Sequence, residues 1–221
     1  MKKTLSVTLV LVLSVLVFTG CMVRIDEKGA VEPKESDAKV ISPLPETLDI
    51  NSLDNCTVAV SLDKGDAYVD DNGKMVMILD VYTYELYDMV DISNLKENDV
   101  IVRLGEEIKV NQLEKLDSGL VRINAGEENG GFDLISTDDT VYFEIGASDV
   151  KAYNKLGEVT LPVSDEFVYA DESDIDADAK EYYPGDFLTD DAGIEYNFNP
   201  NNTSVVIENG KIIKMNKFYT P

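Results

Sequence analysis

Period-two alternation of apolar residues recurs from about residue 56 to the end of the chain, and it limits what the chain can fold into. Met75, Met77, Leu79 and Val81 fall on one face of a long strand, with Val76, Ile78, Tyr82 and Tyr84 on the other. Cys56, Val58, Val60 and Leu62 share a face in the same way. Shorter runs follow: Val100, Val102 and Leu104 alternate with Ile101 and Arg103, Ile108 and Val110 come after Gly105, and similar runs occur at Val121 and Ile123, Val141, Phe143 and Ile145, Val159, Leu161 and Val163, and Val205 and Ile207 leading to Ile213 and Met215. Successive strand side chains point to opposite faces, so such runs bury one side of a sheet. No stretch of 12 or more residues carries helical spacing, although 111–117 and 176–182 are each long enough for a turn or two of helix. The expected fold is all-β: small barrels or a sandwich of mainly antiparallel strands.

Turn chemistry supports this. Asp71-Asn72-Gly73 and Glu208-Asn209-Gly210 each separate two apolar runs, and Asn-Gly suits a type I′ turn, whose two central residues need positive φ. Pro162, inside an apolar run, predicts an edge strand or a bulge. The stretch Leu95-Lys96-Glu97-Asn98-Asp99-Val100-Ile101-Val102-Arg103-Leu104-Gly105 resembles the entry hairpin of small β-barrels such as OB-like modules.

The N-terminus carries a different signal. Lys2 and Lys3 precede an apolar run over residues 5–18, followed by Thr19, Gly20 and Cys21. That is the order of a secretory signal, and the run falls short of the roughly 20 residues that span a bilayer. Val17-Phe18-Thr19-Gly20-Cys21 resembles the lipobox of bacterial lipoproteins, with Phe18 where that family usually has leucine. The resemblance implies cleavage of a signal peptide, residues 1–20, and lipidation of Cys21 by diacylglycerol and palmitate-type chains. It also implies a lipid-anchored location on the extracytoplasmic face of the cell membrane. Two acyl chains give stable anchoring where one is marginal. Residues 21–47 then read as a flexible linker, rich in charge and containing Pro33, Pro43 and Pro45; the competing reading is a strand at Lys39-Val40-Ile41-Ser42. Residues 48–221 form the acidic all-β domain, as one body or as two subdomains divided near 150–165.

Charge narrows the partners. Cleavage before Cys21 removes Lys2 and Lys3, leaving 17 basic residues against 43 acidic ones. Nucleic acid and anionic headgroups both call for a basic face, so neither is an expected partner. The acidity itself is read first as a source of solubility. Cys56 has no second thiol once Cys21 is alkylated, and its strand neighbours predict a buried, inert side chain.

Candidate sites are few. Asp174, Asp176 and Asp178 have the D-x-D-x-D spacing that opens an EF-hand-type calcium loop. The loop then fails, with Ala179 where the sharp turn needs glycine and Gly185 where the bidentate glutamate belongs. A weak Ca²⁺ site is the only cofactor reading. Tyr82, Tyr84, Tyr87 and the Tyr182-Tyr183 pair offer faces for sugar stacking, or pack across strands. With no histidine, Ser-His-Asp and Cys-His chemistry is excluded, and no phosphate loop, G-x-S-x-G or dinucleotide motif occurs. The resulting expectation is a non-enzymatic binding or scaffolding lipoprotein of the cell envelope, with an envelope protein or glycan as partner. The alternatives are a calcium-dependent adhesion or carbohydrate-capture module and a carboxylate-based glycoside hydrolase.

Overall fold

The alternating segments form fifteen strands in the computed structural model, which describes residues 38–136, 140–146 and 149–220. In chain order, β1 (Val40–Ile41) precedes β2 (Cys56–Ser61), β3 (Ala67–Val69) and β4 (Met75–Thr83). Then come β5 (Leu86–Asp88), helix α1 (Met89–Asn94), β6 (Val100–Arg103), β7 (Glu106–Lys109), β8 (Leu113–Lys115), β9 (Val121–Ile123), β10 (Phe132–Ile135) and β11 (Val141–Ile145). The chain finishes with β12 (Asn154–Glu172), β13 (Lys180–Tyr182), β14 (Thr203–Glu208) and β15 (Lys211–Phe218). Among the described residues no helix is long and apolar enough to cross a membrane.

Five of these strands close a barrel. Along the sheet β14 pairs with β2, β2 with β4 and β4 with β12, all antiparallel. With β2 as first strand this is the 4-1-2-3 order of a Greek key. The fifth strand, β15, hairpins onto β14 and closes the circle by running parallel to β12. A five-stranded Greek-key barrel is the architecture of OB-like modules. The segment 95–105, however, lies outside it, in the connection between β4 and β12. Val58, Val60, Met77, Leu79, Val81, Val205, Ile207 and Met215 are buried in one core with Phe167 and Tyr169; in β15 it is Ile212, not the expected Ile213, that joins Met215, because the register shifts between Val206 and Ile207.

Strand β12 makes closure possible because it serves two neighbours in turn. Its first half pairs with β4 as far as Pro162↔Val76. Its second half pairs with β15, after a register shift between Val163 and Val168. Pro162, which lacks an N–H to donate, sits at the changeover. The strand is central, not an edge; the irregularity beside Pro162 is the bulge alternative. A second shift falls at Gly157, where a Cβ would stand 2.6 Å from Ile50 Cδ1.

Residues 84–153, between β4 and β12, build a second lobe with its own core. One sheet runs β5-β11-β10-β9-β8 and another β1-β6-β7. Tyr87, Ile92, Leu95, Ile101, Val121, Ile123, Phe132 and Leu134 are buried between them. Strand β1 pairs parallel with β6, and Ile41 is 1% exposed in this core, so the stretch expected as linker holds the competing strand at 40–41. Burying Ile41 stabilises that arrangement by roughly 2 kcal/mol. Helix α1 begins where Asp88 caps it, its carboxylate accepting from the Val90 and Asp91 amides. The two segments read as helical turns instead hold strands β8 and β13.

The two Asn-Gly turns differ. At Glu208↔Lys211 both Asn209 (φ 53°) and Gly210 (φ 67°) are left-handed, as a type I′ turn requires. At the β3–β4 hairpin only Gly73 (φ 75°) is, so the expected type I′ turn is replaced by a five-residue connection between Val69 and Met75. The cause is Asp70, whose carboxylate accepts from the Asn72 and Lys74 amides at 3.0 and 2.8 Å. That local Asx geometry captures Asn72 before it can enter the left-handed region.

Candidate functional site

The chain passes from barrel to inserted lobe at Thr83-Tyr84-Glu85 and returns at Tyr153-Asn154. Tyr84 pins the crossing. Its ring meets Phe143 and Tyr153 edge to face, with centroids 5.9 and 5.3 Å apart, and the Lys151 ammonium lies 4.2 Å over it. Residues 43–48 run alongside. The Leu44 amide donates to the Leu86 carbonyl at 2.6 Å, and the Glu46 carboxylate accepts from the Thr83 hydroxyl and from the Leu48 amide.

A cleft of about 780 Å³ opens between this segment and the crossing, within the size range of ligand pockets. Its walls are mainly aliphatic, from Pro43, Leu44, Pro45, Leu86, Leu104 and Leu156, with the Tyr84 ring among them. Glu46, Glu85 and Asn154 supply a polar edge. A second opening, of about 530 Å³, lies on the barrel side and shares Thr47, Thr83 and Tyr84 with the first.

Leu104 is the unusual member. It occupies the tip of the β6–β7 hairpin, where Arg103 pairs with Glu106 across two residues. Leu104 has φ 51° and Gly105 φ 79°, a type I′ turn with leucine where asparagine or glycine is expected. A branched side chain in the left-handed region costs roughly 1–2 kcal/mol. Leu104 is nonetheless 54% exposed, so burial returns little of that cost. Strain of this kind concentrates where a residue has a task.

Glu85 holds the strained tip in place. Both of its carboxylate oxygens lie 3.0 Å from the Leu104 amide, which donates to them. The buried Tyr87 hydroxyl lies 2.9 Å from Glu85 Oε2 and 3.0 Å from the Val102 carbonyl. Burial, and then the neighbouring Glu85 charge, raise the Tyr87 phenol well above its ordinary pKa, so it stays a donor. Next to the tip, Arg103 forks onto Glu144 at 2.7 and 2.6 Å and covers the Phe132 ring. The fork keeps the guanidinium firmly charged. The turn is thus clamped from the crossing strand on one side and from β11 on the other.

The sites expected from sequence are disposed differently. Cys21 lies outside the described residues. Asp174 and Asp176 face an opening at the barrel end, but Asp178 does not line it. The Asp174 carboxylate accepts from the Asp176 amide at 3.2 Å. Among the described residues no three His, Cys, Asp or Glu side chains come together as metal ligands. Tyr87 is fully buried, Tyr82 meets the Ser61 hydroxyl at 3.1 Å, and Tyr182 stacks on Tyr169. Only Tyr183 of that set offers a largely open face. Cys56 is half-buried at the barrel edge instead of fully enclosed, and burial pushes its thiol pKa up. Leu104, which alternation places on a strand face with Val100 and Val102, instead leaves the strand for the left-handed tip of the hairpin, and Glu85 carries no sequence signal of its own. The available signal was Leu-Gly, in place of Asn-Gly, between the apolar runs at 100–102 and 108–110. Comparison of the chain with protein-family models, with curated proteins and with solved structures finds no match.

Proposed function

We infer that this chain is a lipid-anchored, extracytoplasmic binding module that does no chemistry itself and takes an aliphatic group of an envelope protein into the cleft beside Leu104. The observation that carries this reading is an exposed leucine held in a strained turn at the edge of an aliphatic cleft. Half of the lining is leucine and proline, with Tyr84 as its single ring, and that balance favours an apolar side chain over a sugar. The lipobox-like segment ending in Cys21 supports attachment to the membrane. The acidic body supports a partner other than nucleic acid or anionic lipid.

Two measurements test this reading. Replacing Cys21 with serine in the native cell should move the protein from the membrane to the soluble fraction; retention in the membrane would contradict the anchor. The released full chain should then bind the neutral dye Nile red saturably, with a blue-shifted emission. Leu104→Asn keeps the left-handed turn but removes the aliphatic group, and it should weaken dye binding by about tenfold, the cost of one lost leucine contact. Unchanged binding would remove the cleft from consideration.

A further inference from the structure

Residues 39–48 run from one core to the other. At the upstream end β1 lies along β6, with Ile41 in the core of the inserted lobe. At the downstream end Leu48 packs on the barrel core. Between these two points every side chain is exposed or half-buried. The upstream attachment is slight. A two-residue strand is joined there by the Val100 amide donating to the Lys39 carbonyl at 2.9 Å and the Lys39 amide donating to Asp99 at 3.0 Å. The Lys39 ammonium pairs with Asp91 at the surface. The segment nevertheless supplies five of the twelve residues that line the aliphatic cleft, at positions 43–47. Thr47 and Leu48 line the barrel-side opening as well. The strand it docks on, β6, leads directly into Leu104, another residue of the cleft. In the upstream direction, residues 22–38 lead back to Cys21.

A short edge segment held by one buried side chain opens more readily than the cores beside it. None of the five barrel strands lies in this segment, so the barrel stays closed when the segment lifts. The cleft does not survive, because one wall leaves with it. A ligand that binds one state of such an equilibrium and not the other shifts it, and the coupling is reciprocal. We propose that residues 39–48 are a strap that couples the cleft to the N-terminal linker: docked on β6 the strap completes the cleft, and lifted from β6 it releases the bound group. The proposal rests on the reading of the cleft as a binding site and adds its regulation. A force that draws the linker away from the body weakens binding, and a bound group holds the linker close.

The test is amide hydrogen exchange of the full Cys21→Ser chain, read by NMR with and without Nile red. The Leu44 amide, which donates to the Leu86 carbonyl, and the Val100 amide report on the strap. Without dye, both should exchange at least about a hundredfold faster than the slowest amides of β2 and β14. Equal rates would mean that the segment opens only on global unfolding, and no strap would exist. With dye at ten times its Kd, both should slow by about tenfold, because opening must then also expel the dye. The Gly210 amide, in a turn that lines neither opening, should keep its rate. Ile41→Asp leaves every cleft residue in place but cannot bury its charge in the lobe core, so the strap should lift and dye affinity should fall about tenfold. Protection of the β9 to β11 amides shows whether the lobe survives that substitution; where it does not, the exchange rates of the Cys21→Ser chain decide. Bound dye with no slowing at Leu44 and Val100, or unchanged affinity in Ile41→Asp once those amides have lost protection, overturns the coupling alone. Dye that fails to bind at all overturns the reading of the cleft, and the coupling with it.

Discussion

Each lobe carries a two-residue type I′ turn of nearly the same backbone shape, and the two turns are filled differently. In the barrel the left-handed first position holds Asn209, and in the inserted lobe it holds Leu104. Asparagine tolerates that region because its short polar side chain can hydrogen-bond locally, whereas leucine does not. The barrel turn follows the local rule, and the inserted turn breaks it under restraint from Glu85 and the Arg103–Glu144 fork. A residue that breaks a local rule and is then clamped from two sides is serving something other than stability. The contrast separates a barrel built for closure from a lobe that presents a surface.

That contrast is broken most forcefully by attacking the core of the inserted lobe. Gly131, just before β10, has no room for a Cβ: the atom would stand 1.9 Å from the Ile123 carbonyl oxygen and 2.5 Å from that of Asn124. Relief requires parting β9 from β10, because both obstacles are backbone. Gly131→Ala should therefore cost about 3–5 kcal/mol, at the severe end for single substitutions. Native-state hydrogen exchange tells whether the lobes are separate units. If they are, amides of β9 to β11 lose protection while those of β2, β14 and β15 keep theirs. Uniform loss would mean one cooperative body, and the contrast between lobes would then be one of sequence only.

What could be read in advance follows from the same physics. Period two sorts a strand into two faces, so spacing alone places Val58 and Val60 on a buried face and groups Leu79 with Val81, while both faces of that longer strand are apolar and the fold decides which one is the core. Period two does not tell which strands are neighbours. Residues 84–153 alternate just as the barrel strands do, so nothing in the spacing marks them as an insertion between β4 and β12. Nor does local pattern reveal that one long strand changes partner at Pro162. The Asn72 turn was misread because a dipeptide rule ignores Asp70, two residues earlier, which competes for the same amides. Residues 111–117 were misread because a three-residue strand is too short to show its period. Leu104 was passed over for a related reason: in a list of apolar strand residues it looks ordinary. Its meaning emerges only once Arg103↔Glu106 pairing places it in the left-handed position and the cleft opens beside it.

The finest test of the contrast is to exchange the two residues. Asn209→Leu places a branched side chain at φ 53° in a turn whose carboxylate partner, Asp54, accepts from the Gly210 amide at 3.1 Å and not from residue 209, and should destabilise the chain by about 1–2 kcal/mol. Leu104→Asn relieves the same strain at φ 51° but gives up the modest packing of a half-exposed leucine, so the gain should be smaller, about 0.5–1 kcal/mol. Urea denaturation at constant m-value reads both effects. The turns are far apart in sequence and share no partner, so the double exchange should equal the sum of the single ones. A loss of stability in Leu104→Asn would mean that leucine is there for packing, and the strain would need no functional reason. A gain in stability accompanied by weaker dye binding is the pairing that a purely structural leucine cannot produce, because the same substitution then makes the fold better and the cleft worse.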